Sequence, residues 1–128
     1  MKIFTKLLHK ASISNRNRKI SEICNRHGIK NYDISEDGCV NVNGDVWLFL
    51  RNISTIPLKF GYVSGNFNCF TNNLDNLEGS PIKVDGNFYC NNNNLKDLKG
   101  SPEWVGGNFN CQNNNLTNLK GSCWIYVV

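Results

Sequence analysis

Cysteine and histidine are the residues of this chain whose positions could support chemistry. Its histidines are His9 and His27, and Cys24 stands three residues before His27, a spacing that could place both on one helix face as metal ligands. No C-x-x-C pair accompanies them, which favours a buried cysteine beside a histidine at a helix end. No nucleophile elbow, H-E-x-x-H or Walker-type loop is present. We therefore expect no catalytic residue, no metal and no cofactor, and hence no enzyme.

Three of the six cysteines, Cys69, Cys90 and Cys111, stand 21 residues apart. Equivalent positions of a repeat stack in a row, so each cysteine is best interpreted as a small buried hydrophobe. The row could hold a soft metal, but packing is favoured. Free rather than disulfide-bonded cysteines predict a reduced protein of the cytoplasm. No apolar run is long enough to span a bilayer, and we expect no membrane partner.

The cysteine spacing is part of a 21-residue repeat that begins at Val42, Val63, Val84 and Val105. Its last three copies begin "VSGNFNCFTNNL", "VDGNFYCNNNNL" and "VGGNFNCQNNNL", while the first copy is degraded. Self-similarity at this period predicts a solenoid. Phe and Cys alternate with a period of two, so both should point inward from a short strand. Asn72, Asn93 and Asn114 should also turn inward and bond the backbone of a bend, and Gly-Ser-Pro should close each coil without a helix.

The pattern F-x-C-x-x-N-x-L-x-x-L resembles a short leucine-rich repeat. More narrowly, "GNFxCxxNNLxxLxGSP" is similar to repeat proteins encoded by tailed bacteriophages, and the similarity covers about residues 20–125. It departs from the repeat pattern where the leading valine stands four residues before the Phe, instead of three, and where Arg51 replaces the first asparagine. The resemblance implies an α/β fold: a solenoid of about four coils, with one parallel β-sheet, under an N-terminal cap.

Residues 1–41 form the predicted cap, and residues 42–128 form the solenoid. Two helices are expected in the cap, the first with Ile3, Phe4, Leu7, Leu8 and Ala11 on one face and the second ending at Gly28. A hairpin with its turn at residues 35–38 should follow. Residues 1–36 carry eight basic and three acidic side chains, so this part could contact an acidic protein or nucleic acid. The candidate contacts are Lys6, Lys10, Arg16, Arg18 and Lys19.

The C-terminal sequence "SCWIYVV" replaces the expected Gly-Ser-Pro closure with apolar residues. These residues should either fold over the open end of the solenoid or leave an apolar strand edge, which invites pairing with another chain. Trp124, Tyr126 and Val128 are therefore candidates for self-association as a homodimer.

The residues that flank the inward Phe and Cys should face solvent and form a binding surface. Aromatic residues gather in its N-terminal half and amides around it; outward Trp and Tyr are enriched at binding hot spots. The alternative is that the cap or a dimer partner covers it. The predicted surface comprises Trp47, Phe49, Asn66, Asn68, Phe70, Asn87, Tyr89, Asn91, Asn110 and Gln112.

Protein binding without catalysis is the function that this surface predicts. The phage resemblance implies a protein that acts in the cytoplasm of the host cell, where it binds and modulates or inhibits a host protein, such as a component of a CRISPR-Cas defence system. The alternatives are a structural component associated with the virion, and a nucleic-acid binder that acts through the basic cap.

Overall fold

A computed structural model describes residues 2–121 of the chain as one long helix followed by nine short strands. Each strand contains only two to four residues, as expected for a chain that turns a corner every few residues. The elements are α1 (Lys2–Arg26), β1 (Tyr32–Ile34), β2 (Val40–Val42), β3 (Val46–Trp47), β4 (Phe60–Val63), β5 (Phe67–Asn68), β6 (Lys83–Val84), β7 (Phe88–Tyr89), β8 (Trp104–Val105) and β9 (Phe109–Asn110).

The strands form two sheets that run side by side along the molecule. One has the order β1-β2-β4-β6-β8 and the other β3-β5-β7-β9, and every pairing is parallel except that of β1 with β2. Paired positions such as Val46, Phe67, Phe88 and Phe109 advance by 21 residues. Residues 2–121 therefore form a β-solenoid of roughly three turns, and the four coils predicted from the repeat are not confirmed.

The prediction of one parallel sheet was wrong, because each turn contributes two strands. The valine of each repeat lies in the first sheet and the phenylalanine in the second, with a bend between them at Ser64–Gly65 and Asp85–Gly86. The extra residue between valine and phenylalanine supplies this bend. At Gly86 the bend runs so close to the turn before it that a Cβ would lie 2.6 Å from the Gly65 carbonyl oxygen. Only glycine fits that approach.

The core is a column of side chains repeated from turn to turn. Phe67 and Phe88 stack with their ring centroids 5.6 Å apart, and the rings of Phe60 and Phe109 extend the column at either end, each with a centroid 5.1 Å from its neighbour. Cys69, Cys90 and Cys111 form a buried row beside it. The predicted inward direction of Phe and Cys is confirmed. The last described turn is less complete, since Leu116 is half-buried and Leu119 is exposed.

The N-terminal segment contains one continuous helix, α1, where two helices were predicted. The stretch between the two predicted helices contains neither Gly nor Pro, so nothing in it breaks the helix. The C-terminal half packs on the solenoid: Cys24 is buried, as predicted, and Ile20 and Ile23 rest on the core. Gly28 ends the helix with a φ of 68°, and the Ile29 N–H donates to the Cys24 carbonyl oxygen at 2.9 Å.

The N-terminal half of α1 does not cover the first coil. Ile3, Phe4, Leu7 and Leu8, expected to form its buried face, are all exposed. The solenoid is covered instead by the later part of α1 and by the predicted hairpin, which the structure confirms as β1 and β2. In its turn, the Gly38 N–H donates to the Ser35 carbonyl oxygen at 2.9 Å. Arg16 ties the helix to this turn by donating to the Glu36 carbonyl oxygen at 2.9 Å.

Candidate functional site

The outward side of the second sheet carries four aromatic rings in a continuous chain, which we call the aromatic surface. The Trp47 ring meets Phe49 edge-on at 5.6 Å between centroids, and Phe49 stacks on Phe70 at 5.0 Å with 11° between the ring planes. The Phe70 ring then meets Tyr89 edge-on at 6.3 Å. Stacking and edge contacts of this kind fix the rings relative to one another, so the surface is preformed.

The aromatic surface is open to solvent in the part of the chain that the structure describes. Trp47 keeps 47% of its surface exposed, and Phe49, Phe70 and Tyr89 are half-buried, largely against one another. Residues 2–121 therefore leave Trp47 exposed and the other three rings partly exposed.

The position of Asn68 corrects one member of the predicted surface. This side chain retains only 2% of its exposure, because it lies between Trp47 and Tyr89 in the register and its Nδ2 turns back to donate to the Val46 carbonyl oxygen at 3.0 Å. Asn68 therefore supports the aromatic rings and is not itself available to a partner.

Asn66 and Asn87, two further members of the predicted surface, have a structural role that the sequence analysis missed. The Asn87 N–H donates to Asn66 Oδ1 at 2.8 Å, and the Asn108 N–H donates to Asn87 Oδ1 at 2.7 Å; Asp45 begins the same series. Each side chain thus satisfies a backbone donor one turn further along the solenoid. The Gly-Asn dipeptide before each Phe was the available signal, since this series passes close to the glycine.

The remaining predicted members form an amide rim beyond Tyr89. Asn91 and Asn110 are half-buried and Gln112 is exposed, and the Gln112 N–H donates to Asn110 Oδ1 at 3.0 Å. The outward positions of the second sheet form three rows, which begin at residues 45, 47 and 49 and repeat every 21 residues, and Asp45 is the one charged residue among them. The surface is therefore apolar at one end, neutral and hydrogen-bonding at the other, and free of cationic side chains.

A second exposed group, on the first sheet, was not predicted. Lys83 lies between two rings, with its Nζ 5.0 Å from the Trp104 centroid and 5.6 Å from that of Tyr62. Tyr62 donates a hydrogen bond to Asp85, which raises the pKa of the tyrosine. The three paired residues each precede the repeated valine, and this shared position was the signal that could have revealed them.

The cysteines of the repeat and His27, which the sequence offered as candidates for chemistry, pack within the fold. Burial raises the pKa of the Cys69, Cys90 and Cys111 thiols, which disfavours the thiolate that metal binding and nucleophilic attack require. Partial burial, then the nearby Arg51 and Arg26, lower the pKa of His27. Within residues 2–121, no three His, Cys, Asp or Glu side chains are grouped in a way that could hold a metal ion.

The candidate contacts for an acidic partner separate into two kinds. Lys6, Lys10, Arg18 and Lys19 are exposed along α1. Arg16 is half-buried and already bonded to the hairpin turn, so it serves the fold. The candidates for self-association, Trp124, Tyr126 and Val128, lie outside the described residues.

Comparison with known proteins adds no constraint. No protein-family model, no curated protein and no solved structure matches this chain. Among residues 2–121, no helix is both long enough and apolar enough to cross a membrane.

Proposed function

We propose that this protein is a non-catalytic binding module that recognises another protein through the aromatic surface. The observation that carries the proposal is the unbroken chain of four rings from Trp47 to Tyr89 on the solvent side of the second sheet. Contiguous exposed aromatic groups on a folded domain are costly unless they are used, and Trp and Tyr are enriched among the residues that dominate binding energy.

The polar surroundings of the rings support a protein partner over nucleic acid. The outward rows contain amides and one carboxylate, Asp45, but no Lys or Arg to neutralise phosphates. Asn91, Asn110 and Gln112 can supply the hydrogen bonds of a polar rim around an apolar centre, which is the usual anatomy of a protein interface. Because the rings are held by mutual contacts, little side-chain freedom is lost on binding.

The narrower proposal rests on the resemblance of the repeat to phage-encoded leucine-rich-repeat proteins. We propose that the chain acts in the cytoplasm of a bacterial host, where it binds a host protein and modulates or inhibits it. The candidate host protein is a defence component such as a CRISPR-Cas effector. The aromatic surface supplies the contact that such a role requires.

Capture of a partner with matched variants tests the proposal. The tagged full-length protein is incubated with bacterial host lysate, with and without nuclease, and compared with Trp47→Ala/Tyr89→Ala. The control is Trp104→Ala, because Trp104 is equally exposed, at 49%, but lies on the first sheet. We expect the double variant to remain folded, with one cooperative thermal transition at a somewhat lower temperature because two ring contacts are lost, and to lose the partner, which Trp104→Ala retains.

Two results would contradict the proposal. If the double variant captures the same protein as the unaltered chain, the aromatic surface is not the binding site. If nuclease abolishes capture, the partner is held through nucleic acid instead of through these rings.

A further inference from the structure

The first three turns of α1 project an apolar face that nothing in residues 2–121 covers. Every residue from 2 to 12 is exposed, and the large apolar side chains retain between 57% exposure at Leu8 and 76% at Ile3. By contrast, the later part of the same helix is anchored on the core through Ile20, Ile23 and Cys24. The fold therefore holds the N-terminal half of α1 as a helix without packing it.

The exposed residues are ordered around the helix. At roughly 100° per residue, Ile3, Phe4, Leu7 and Leu8 fall within an arc of about 140°. Lys2, Lys6 and Lys10 occupy the adjoining arc of about 80° on one side, and polar residues occupy the remainder. The segment is therefore amphipathic, with its cations beside the apolar face.

An apolar face of this kind needs a partner, because a helix of this length gains little stability in water without tertiary packing. The partner must also tolerate positive charge. Residues 1–21 contain six Lys and Arg side chains and no Asp or Glu, with Glu22 the first carboxylate. Pairing with α1 of a second copy would bring cations together with no carboxylate between them, and this charge pattern disfavours self-association through the face.

We propose that residues 2–11 bind the surface of a bilayer that contains anionic lipids. Ile3, Phe4, Leu7 and Leu8 enter the boundary between headgroups and acyl chains, and Lys2, Lys6 and Lys10 contact lipid phosphates. The segment is about 15 Å long, which suits a helix lying in the plane of the interface. No apolar run of the sequence could span a bilayer, and no membrane partner was therefore expected, but an interfacial helix needs only one apolar face.

Vesicle sedimentation tests the proposal with the full-length protein. The vesicles are phosphatidylcholine alone, or phosphatidylcholine with roughly 30% phosphatidylglycerol to give the negative surface that attracts lysine. We expect binding to the anionic vesicles at low ionic strength, release as salt is raised, and little binding to the neutral ones.

Two double substitutions at exposed positions separate the contribution of charge to vesicle binding from that of the apolar face. Lys6→Gln/Lys10→Gln should weaken binding to anionic vesicles by roughly thirtyfold, as expected for two lysines near an anionic surface. Phe4→Gln/Leu8→Gln should abolish binding. Lys96→Gln/Lys99→Gln is the control, since it removes the same charge from exposed solenoid positions and should leave binding unchanged.

Three outcomes would overturn the proposal. They are no binding to anionic vesicles at low salt, equal weakening by both lysine pairs, and a concentration-dependent dimer that Phe4→Gln/Leu8→Gln abolishes. The test is independent of the proposed protein partner, because Trp47→Ala/Tyr89→Ala should bind vesicles like the unaltered chain.

Discussion

Asn93 of one turn accepts a hydrogen bond at its Oδ1 from the Leu74 N–H of the turn before, at 3.0 Å. Its Nδ2 donates to the carbonyl oxygens of Cys69 and Cys90, both at 3.1 Å. One buried amide thus joins three backbone groups on two turns. Asn72 and Asn114 make the equivalent bonds one turn away in either direction, so the ladder predicted from the repeated asparagine is present.

Replacement of Asn93 by Ala should destabilise the protein by about 2 kcal/mol. The Cys69 and Cys90 carbonyls keep a second donor, from Asn72 and Asn114 respectively, but the Leu74 N–H is left buried without an acceptor, and that group sets the cost. The measurement is the free energy of unfolding in urea.

Asn94→Ala is the matched control, because Asn94 is the adjacent asparagine and its side chain is exposed. Its unfolding free energy should stay within about 0.5 kcal/mol of the unaltered protein. Equal losses for the two variants would show that the Asn93 hydrogen bonds do not hold the turns together.

A second prediction concerns Phe67 and Phe70, whose side chains point to opposite sides of the chain, Phe67 into the core and Phe70 onto the aromatic surface. Phe67 is fully buried between the rings of Phe60 and Phe88, whereas Phe70 is half-buried on the aromatic surface. Phe67→Ala should cost about 4 kcal/mol of unfolding free energy. Phe70→Ala should cost about 2 kcal/mol, the combined value of its two ring contacts, with Phe49 and Tyr89. If Phe70→Ala lowered the unfolding free energy as much as Phe67→Ala, the rings of the aromatic surface would be part of the core and not a binding surface.

The features predicted correctly from the sequence are those fixed by the repeat alone. A 21-residue period with Phe and Cys two residues apart leaves one arrangement in which every copy buries the same side chains, and the structure has that arrangement. The asparagine ladder followed because a bend leaves backbone groups that a short amide can reach.

The features that were missed depend on contacts between turns or on where the chain bends. A bend at Gly65, and at Gly86 one turn later, separates the two strands of each turn. The extra residue between valine and phenylalanine marks the place, but the spacing alone does not say whether the strand is interrupted there. Asn66 and Asn68 alternate in sequence like outward residues, yet one caps the backbone of the next turn and the other is buried between rings. Leu50 and Thr71 adopt a left-handed backbone, with φ values of 56° and 53°, where the next two copies have Asn92 and Asn113. Asparagine adopts this conformation more readily than most residues. Because the first two copies have Leu and Thr at this position, the sequence alone does not reveal that the backbone is left-handed there in every copy.

The buried cysteines give a third prediction, concerning thiol reactivity. The thiolate is the reactive form, and burial raises the pKa of Cys69 and Cys90 far above the ordinary thiol value, so these side chains should resist thiol–disulfide exchange at pH 8. The experiment uses Cys123→Ser, because Cys123 lies outside the described residues. The five remaining cysteines are all free and buried, so the folded variant should react with Ellman's reagent only as fast as local or global opening exposes each thiol. In denaturant all five should react at once.

The order of labelling within the row supplies the control. Cys111 lies in the last described turn, where Leu119 is exposed, and a solenoid opens most readily from its ends. Mass spectrometry of partially labelled, folded protein should therefore find Cys111 modified before Cys90, and Cys111→Ser should remove the earliest phase. Rapid labelling of Cys90 in the folded protein would contradict the packing role of the row and would return it to consideration as a site of chemistry.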